Sequence, residues 1–528
     1  MDQFFQIETL IIELLLIVSA VAIAVQWLRI PYTVALVLAG LGIALWHPFQ
    51  VNVTPDLILL IFVPPLVFEA AFHLRFEDLK NELPGILALA VPGVLVTTFI
   101  VGGITTLGTH IALPAALVFG ALIAATDPVA VIAIFRKLGV PRRLSVLLEG
   151  ESLFNDGTAI VLFNLTLAIA LTGQFDLTES LIDFIRVSAG GIIIGLVLGW
   201  LISRIISRID DYLIETTLTT ILAFGSYLIA DRLSFSGVLA VVAAGLVNGN
   251  ISPNGMSPST RIVIFNFWEY VAFIANSLVF LLIGLEMDVS ALLANWTAVL
   301  WAILAVLAAR VFVVYGLGWL VKRIIDSVPI KWQHVMVWGG LRGAICLALA
   351  LSLPVSFGPE RETLRWMAFG VVLFTLLVQG TTMQPFIRGI HLVSFTDAQI
   401  DYEARQARLT ALKAGLKRLE NLHHQGVLSS HAMERLQPVL DEKISAFTES
   451  VREIMRAEPD LETEELETAR RELIQAEKSA LIGLRRNGSL KNETFERLIS
   501  ELDASLAETA DKVNQLDGFV SDDSGQGN

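Results

Sequence analysis

Charge and thiols are what this chain has least of. Only 17% of its 528 residues are Asp, Glu, Lys or Arg, against about 25% in soluble globular chains, so it is not soluble throughout. A single cysteine, Cys346, excludes an intrachain disulfide, a thiolate zinc site and an iron–sulfur cluster. Basic residues number 37 against 51 acidic ones, and the net charge of −14 argues against nucleic acid as the main partner. No GxxxxGK[ST] loop is present to hold nucleotide phosphates, so any work the membrane part performs must draw on an existing gradient. No HExxH motif is present either, and no serine or aspartyl dyad has a persuasive setting, which speaks against an intramembrane protease and against an enzyme. Asp2, Glu8 and Glu13 precede the first basic residue; the positive start of a cleaved signal peptide is missing, and the first apolar run reads as a retained span.

What the chain has in excess is apolar length: 54% of its residues are hydrophobic, and the mean hydropathy is +0.67. About 30 Å of hydrocarbon is crossed at 1.5 Å per helical residue. Thirteen stretches approach or exceed that requirement: 8–27, 31–46, 55–72, 83–108, 112–135, 146–171, 181–203, 213–231, 233–248, 265–287, 291–321, 333–354 and 364–390. The reading is an all-α polytopic membrane domain, 1–395, followed by a soluble helical tail, 396–528. The charge distribution agrees, since residues 401–528 alone hold 17 basic and 25 acidic residues. The tail is rich in Glu, Arg, Ala and Leu; Asn487-Gly488 reads as a break between helices and the terminal SDDSGQGN as disordered. It is either a solvated appendage or a regulatory domain.

A cytoplasmic tail after an odd number of spans puts the N-terminus outside. The basic residues test this: fourteen, among them Arg29, Arg75, Arg136, Arg142, Arg204, Lys322 and Arg388, fall at cytoplasmic ends, and four (Arg186, Arg232, Arg361, Arg365) at outer ends. That asymmetry supports a multi-pass protein of the cell membrane with its C-terminus in the cytoplasm. Thirteen spans divide as six, one and six, and an offset of seven reverses direction, so the two sixes form inverted repeats.

The informative residues are those that do not belong in hydrocarbon, where a charge costs about 2.5–3.5 kcal/mol on insertion scales. The densest run, Glu149-Gly-Glu-Ser-Leu-Phe-Asn-Asp156, opens the sixth span. At 100° per residue Glu149, Ser152 and Asp156 share one face, while Glu151 and Asn155 share its neighbour. Carboxylates, an amide and a hydroxyl within two turns are ligands for a hard cation or a proton. In the fifth span Thr126-Asp127-Pro128 should break the helix and leave the carbonyls of Ala124–Thr126 free. In the twelfth, Gly339-Gly340-Leu-Arg342-Gly343 weakens the helix and sets a cation where carbonyl ends gather, with Asp127 suited to the opposite, positive helix ends. Arg310 lies about 18 Å along its helix from Lys322, beyond snorkelling reach, so it needs a buried anion, for which Glu151 is the candidate. Glu69 follows a double-proline kink at Pro64-Pro65.

FVPPLVFEAAF (62–72), ATDPVAVIAIF (125–135), EGESLFNDGTAIVLF (149–163), AAR (308–310) and GGLRGA (339–344) together resemble the cation/proton antiporter-1 family, the NhaP/NHE-type sodium/proton exchangers, in order and spacing over residues 8–390. The resemblance implies that Asp156 carries the proton or the cation. Ser152, Glu69 and the Thr126 carbonyl would complete a transported-sodium site, with Asn155 as the neutral partner of Asp156. It further implies charge compensation of broken, crossing helices by Asp127 and Arg342. Glu151 would form a structural ion pair with Arg310, a pairing with Arg342 staying open, and the assembly would be a homodimer in the bilayer. Its partners would then be a monovalent cation and a proton, with no resident cofactor and no nucleotide. Asn155 in place of a second acid suggests electroneutral 1:1 exchange by alternating access. A passive cation channel would use the same acids, and K⁺ or Li⁺ would use the same oxygen ligands as Na⁺.

Overall fold

The computed structural model describes residues 2–457 apart from 28–29, 47–57, 210, 253–255, 257, 322–327, 391, 393–396 and 426–427, together with scattered positions between 466 and 501. Arg29, Lys322, Arg323, the Asn487-Gly488 break and the terminal SDDSGQGN lie outside the described residues. The chain divides into two units, Met1–Val393 and Ser394–Asn528.

Among the described residues of the first unit the regular structure is helix. It begins with α1 (Asp2–Val25), α2 (Tyr32–Trp46) and α3 (Val63–His73), the last entered through a π-helical turn at Ile58–Phe62. There follow α4 (Phe76–Ala90), α5 (Pro92–Thr109), α6 (Leu113–Leu122), α7 (Val129–Leu138) and α8 (Arg142–Thr172). Next come α9 (Leu177–Ile206), α10 (Tyr212–Arg232), α11 (Gly237–Ile251), α12 (Pro258–Leu285) and α13 (Val289–Ala294). The unit closes with α14 (Trp296–Val321), α15 (Ile330–Trp338), α16 (Ala344–Leu351), α17 (Glu360–Phe374), a π-helical turn at Thr375–Gly380 and α18 (Thr381–Gly389).

Among the described residues seven helical stretches of 21–34 residues are long and apolar enough to cross a membrane, and five shorter apolar helices accompany them. Among the described residues helix occupies each of the apolar ranges read from the sequence, with three starts shifted by six or seven residues, the first of them at Asp2 rather than 8. The fourth begins at Phe76 rather than 83, because its first turns are amphipathic and tie Asp78 to Arg142 (2.7 Å) and Glu82 to Arg143 (2.6 Å) beyond the apolar stretch. The tenth begins at Pro258 rather than 265. Pro64 and Pro65 lie within one helical stretch, Ile58–His73, and the irregularity they impose falls on the π-helical turn directly before them, where their missing N–H groups leave the preceding carbonyls without regular partners.

Packing sorts these helices into two bundles. Helices α1–α3 and α9–α12 pack on one another through the pairs α9/α11, α2/α12, α3/α11 and α10/α11. Helices α4–α8 and α14–α18 form the other, through α5/α6, α5/α14, α4/α8, α6/α8 and α14/α17. Helix α8 lies on the seam, touching α3, α9 and α11 of the first bundle. In the second unit, α19 (Asp397–His424) and α20 (Ser430–Ala457) pack as a helical pair. Arg405 bonds Asp401 at 2.5 Å and reaches Ser450, and Arg408 lies over Phe447.

Candidate functional site: two interrupted helices beside Asp156

The second bundle contains two interrupted spans, and the local sequence explains both. Pro128 has no N–H for the carbonyl of Ala124, so α6 ends and the chain runs without regular structure through 124–128 until Pro128 itself caps α7. Gly339 ends α15, and residues 340–343 are non-helical until α16 begins at Ala344. The breaks run past each other: the Asp127 N–H donates to the Leu341 carbonyl at 2.8 Å.

Four half-helix ends therefore meet inside the protein, and each is matched by opposite charge. At the carbonyl end of α6 the wholly buried Arg342 donates from Nη1 to Ala124 O (2.7 Å) and Ala125 O (3.1 Å). At the carbonyl end of α15, Arg310 donates to Met336 O from Nε (3.1 Å) and Nη2 (2.9 Å). At the amide ends, Asp127 accepts from Val129 N at 3.0 Å, and its carboxylate lies where a β-carbon on Gly343 would stand, at the start of α16. Opposed partial charges at helix termini are each worth about 0.3–1 kcal/mol at a surface and up to about 2 kcal/mol when partly buried.

Arg310 also forms a bidentate pair with Glu151, through Nη1 to Oε1 and through Nη2 to Oε2 at 3.0 Å, with side chains 7% and 3% exposed. The alternative left by the sequence, Glu151 with Arg342, is not the arrangement found. Gly340 makes the pair possible, because a β-carbon there would stand 2.7 Å from Arg310 Nε.

Helix α8 sets Ser152 and Asn155 against the first break. The Ser152 hydroxyl donates to Thr126 O at 2.5 Å, and Asn155 Nδ2 donates to Thr126 Oγ1 at 2.7 Å while its Oδ1 faces Thr126 N at 3.4 Å. The expectation of free carbonyls at Ala124–Thr126 is thereby corrected. All three are occupied, two by Arg342 and one by Ser152, because unpaired backbone acceptors are costly in an apolar interior. Asp156 is partly accessible and lies within electrostatic range of Asp127; among the described residues no hydrogen bond or ion pair engages its carboxylate.

Glu69 stands apart from this group. Its carboxylate lies 3.3 Å from His73 Nδ1, one turn along α3, and in electrostatic range of Arg136 and Glu269, with Glu149 nearby. No hydrogen bond joins it to Asp156, Ser152 or Thr126 among the described residues.

The sequence reading missed two contributors. Thr375 Oγ1 accepts from the Arg342 N–H at 3.2 Å, and the Cys346 thiol donates to Ala125 O at 3.2 Å. Thr375 opens the π-helical turn of the last span, which no sequence pattern announced; Cys346, three residues beyond GGLRG, could have been suspected as the one polar atom opening α16.

Comparison with known proteins accords with this architecture. The family model described as "Sodium/hydrogen exchanger, transmembrane" matches residues 14–389. The Na⁺/H⁺ antiporter ApNhaP of Aphanothece halophytica is 40% identical over 494 residues, 91% of this chain and 94% of that protein. The Na⁺/H⁺ antiporter NhaG of Bacillus atrophaeus is 36% identical over 494 residues, 90% and 93% of the two chains. Among solved structures, the sodium proton antiporter MjNhaP1 of Methanocaldococcus jannaschii shares the fold at a TM-score of 0.61 and 24% identity, covering 75% of this chain and all of that one. The chain is a multi-pass membrane protein, a transporter rather than an enzyme, and it belongs to the sodium/hydrogen exchanger family.

Proposed function

We propose that this protein exchanges Na⁺ for H⁺ across the cell membrane, electroneutrally and 1:1, with Asp156 holding one or the other as the site meets each side in turn. The observation that carries the reading is the contrast among buried charges. Arg310, Arg342, Glu151 and Asp127 are all engaged by helix ends or by each other, whereas among the described residues no hydrogen bond or ion pair engages the Asp156 carboxylate. A carboxylate left without a partner in so well compensated a site is available to cargo.

Cation entry would use oxygens already at hand. If the Ser152 hydroxyl turns away from Thr126 O, one rotation frees two ligands, its own lone pair and the backbone carbonyl, beside Asp156. Asn155 would hold the Thr126 peptide in place through the exchange. Glu69 would join as a ligand only after α3 and α8 shift relative to each other, since its carboxylate is held toward His73 in this conformation. No resident cofactor enters the scheme; both ions are cargo. One charge in and one out leaves the membrane potential, worth about 2.3 kcal/mol per charge per 100 mV, with no net work to do.

The finer architecture belongs to the same proposal. Spans four to six and eleven to thirteen make one bundle, each set interrupted in its middle member, as inverted repeats offset by seven would be. Thirteen spans, an external N-terminus, a cytoplasmic tail and a homodimer complete it. The bundle of α4–α8 and α14–α18 would move against the bundle of α1–α3 and α9–α12. The test is Na⁺-driven ΔpH dequenching in proteoliposomes, repeated with K⁺ and Li⁺. Asp156→Asn should abolish cation-dependent proton movement while the protein stays monodisperse; retained exchange would remove Asp156 from the carrier role.

A further inference from the structure

Resting on that reading, we infer that Leu239 is a wedge on the bundle of α1–α3 and α9–α12, seated over Gly157 beside Asp156. It closes one route to the carboxylate and must leave its seat for the other bundle to move. Helix α8 carries Asp156 and is the element through which the α4–α8 bundle meets α11. At their contact, the residue after Asp156 is a glycine. A β-carbon on Gly157 would stand 2.5 Å from both Cγ and Cδ2 of Leu239, so the leucine side chain occupies the space that any other residue would fill. Interiors are packed closely enough that a single added methylene is felt, so the contact has no room for a methyl group.

The leucine is held from behind. It lies in the first turn of α11, its N–H donated to the Ser236 hydroxyl at 3.3 Å, and Ser236 N donates to Val187 O of α9 at 3.1 Å. Leu239 is thus fixed to its own bundle by backbone and cap, and where it meets Gly157 of the opposite bundle there is no side chain. Val238 and Val242 on the same helix are as buried as Leu239 itself, so the surface that α11 presents here is apolar. A branched apolar side chain on a bare glycine makes a contact that excludes water in register and has no interlocking atom to hold it when the helices slide. Van der Waals contacts of this kind are individually weak and carry no directional bond to break.

The test uses the full-length protein in proteoliposomes, with Na⁺-dependent ΔpH dequenching and the passive proton leak without Na⁺ as readouts. Gly157→Ala should cut the maximal exchange rate about tenfold or more while the half-saturating Na⁺ concentration stays within about twofold, because the obstruction lies in the movement and not in the cation ligands. Adding Leu239→Ala makes room for the methyl group and should restore the rate to within about threefold of wild type. Leu239→Ala alone should raise the passive proton leak severalfold. A double variant as slow as Gly157→Ala, a Gly157→Ala variant with wild-type rate, or an unchanged leak in Leu239→Ala would each overturn the wedge. Should Gly157→Ala fail to fold, the leak of Leu239→Ala decides the matter. If wild-type protein moves no protons in response to Na⁺, the exchange reading itself fails; if it does and the double variant is not rescued, only the wedge falls.

Discussion

Replacing Arg310 with methionine is the perturbation whose size the structure constrains best. The side chain supplies four hydrogen bonds, two to the Glu151 carboxylate and two to the Met336 carbonyl, with both charged side chains below 10% exposure. Methionine fills most of the volume but leaves Glu151 as an unpaired anion in the interior and returns the α15 carbonyl end to its bare state. Charge-assisted bonds are worth about 1.5–3 kcal/mol each, but relaxation keeps the total for breaking one side of a buried pair near 3–5 kcal/mol. Arg310→Met should therefore lose about 3–5 kcal/mol of stability. Glu151→Gln should lose less, because Arg310 keeps its two bonds to Met336 O and an amide oxygen remains beside it. The double variant Glu151→Gln/Arg310→Met should be more stable than Arg310→Met alone, since it buries no lone charge. Detergent-solubilised protein, heated and followed by tryptophan fluorescence and by size-exclusion recovery, measures the ranking. An Arg310→Met protein within about 1 kcal/mol of wild type, or a double variant less stable than either single, would refute the account of this pair.

Ser152→Ala removes one proposed ligand and should raise the half-saturating Na⁺ concentration about fivefold, the equivalent of roughly 1 kcal/mol, with maximal rate little changed; an unaltered concentration dependence would take Ser152 out of the site. If Na⁺ and H⁺ compete for Asp156, the half-saturating Na⁺ concentration should rise about tenfold per pH unit on the acid side of the profile by mass action, and a flat dependence would reject competition. Clamping the membrane potential with valinomycin and K⁺ should leave exchange at fixed ΔpH unchanged, and a potential-driven increase without a proton leak would reject the 1:1 count.

Much of this molecule could be read without coordinates, for one reason: hydrocarbon penalises charge so heavily that every ionisable residue in an apolar run is a marker. That penalty made Asp156, Asp127, Glu151, Arg310 and Arg342 visible as a set, and covalent backbone limits made Pro128 and Gly339–Gly343 visible as breaks. Helix length against bilayer thickness located the apolar helices to within a few residues, except where an amphipathic turn such as 76–82 extends past the apolar stretch.

Partnership was what only the tertiary structure decided. Residues 151 and 310 are far apart in the chain, and motif spacing left Arg342 open as the mate of Glu151; the reach of the Arg310 side chain from α14 to α8 and the space left by Gly340 decide for Arg310. The same holds for the Ala124–Thr126 carbonyls, which a broken helix frees and which Arg342 and Ser152 then take. Glu69, which the resemblance assigns to the cation site, holds its carboxylate beside His73 one turn away in this conformation. Sequence fixes which groups cannot stay unpaired, because solvation cost is a property of each residue; which group satisfies which depends on distances between helices that no spacing along one helix encodes.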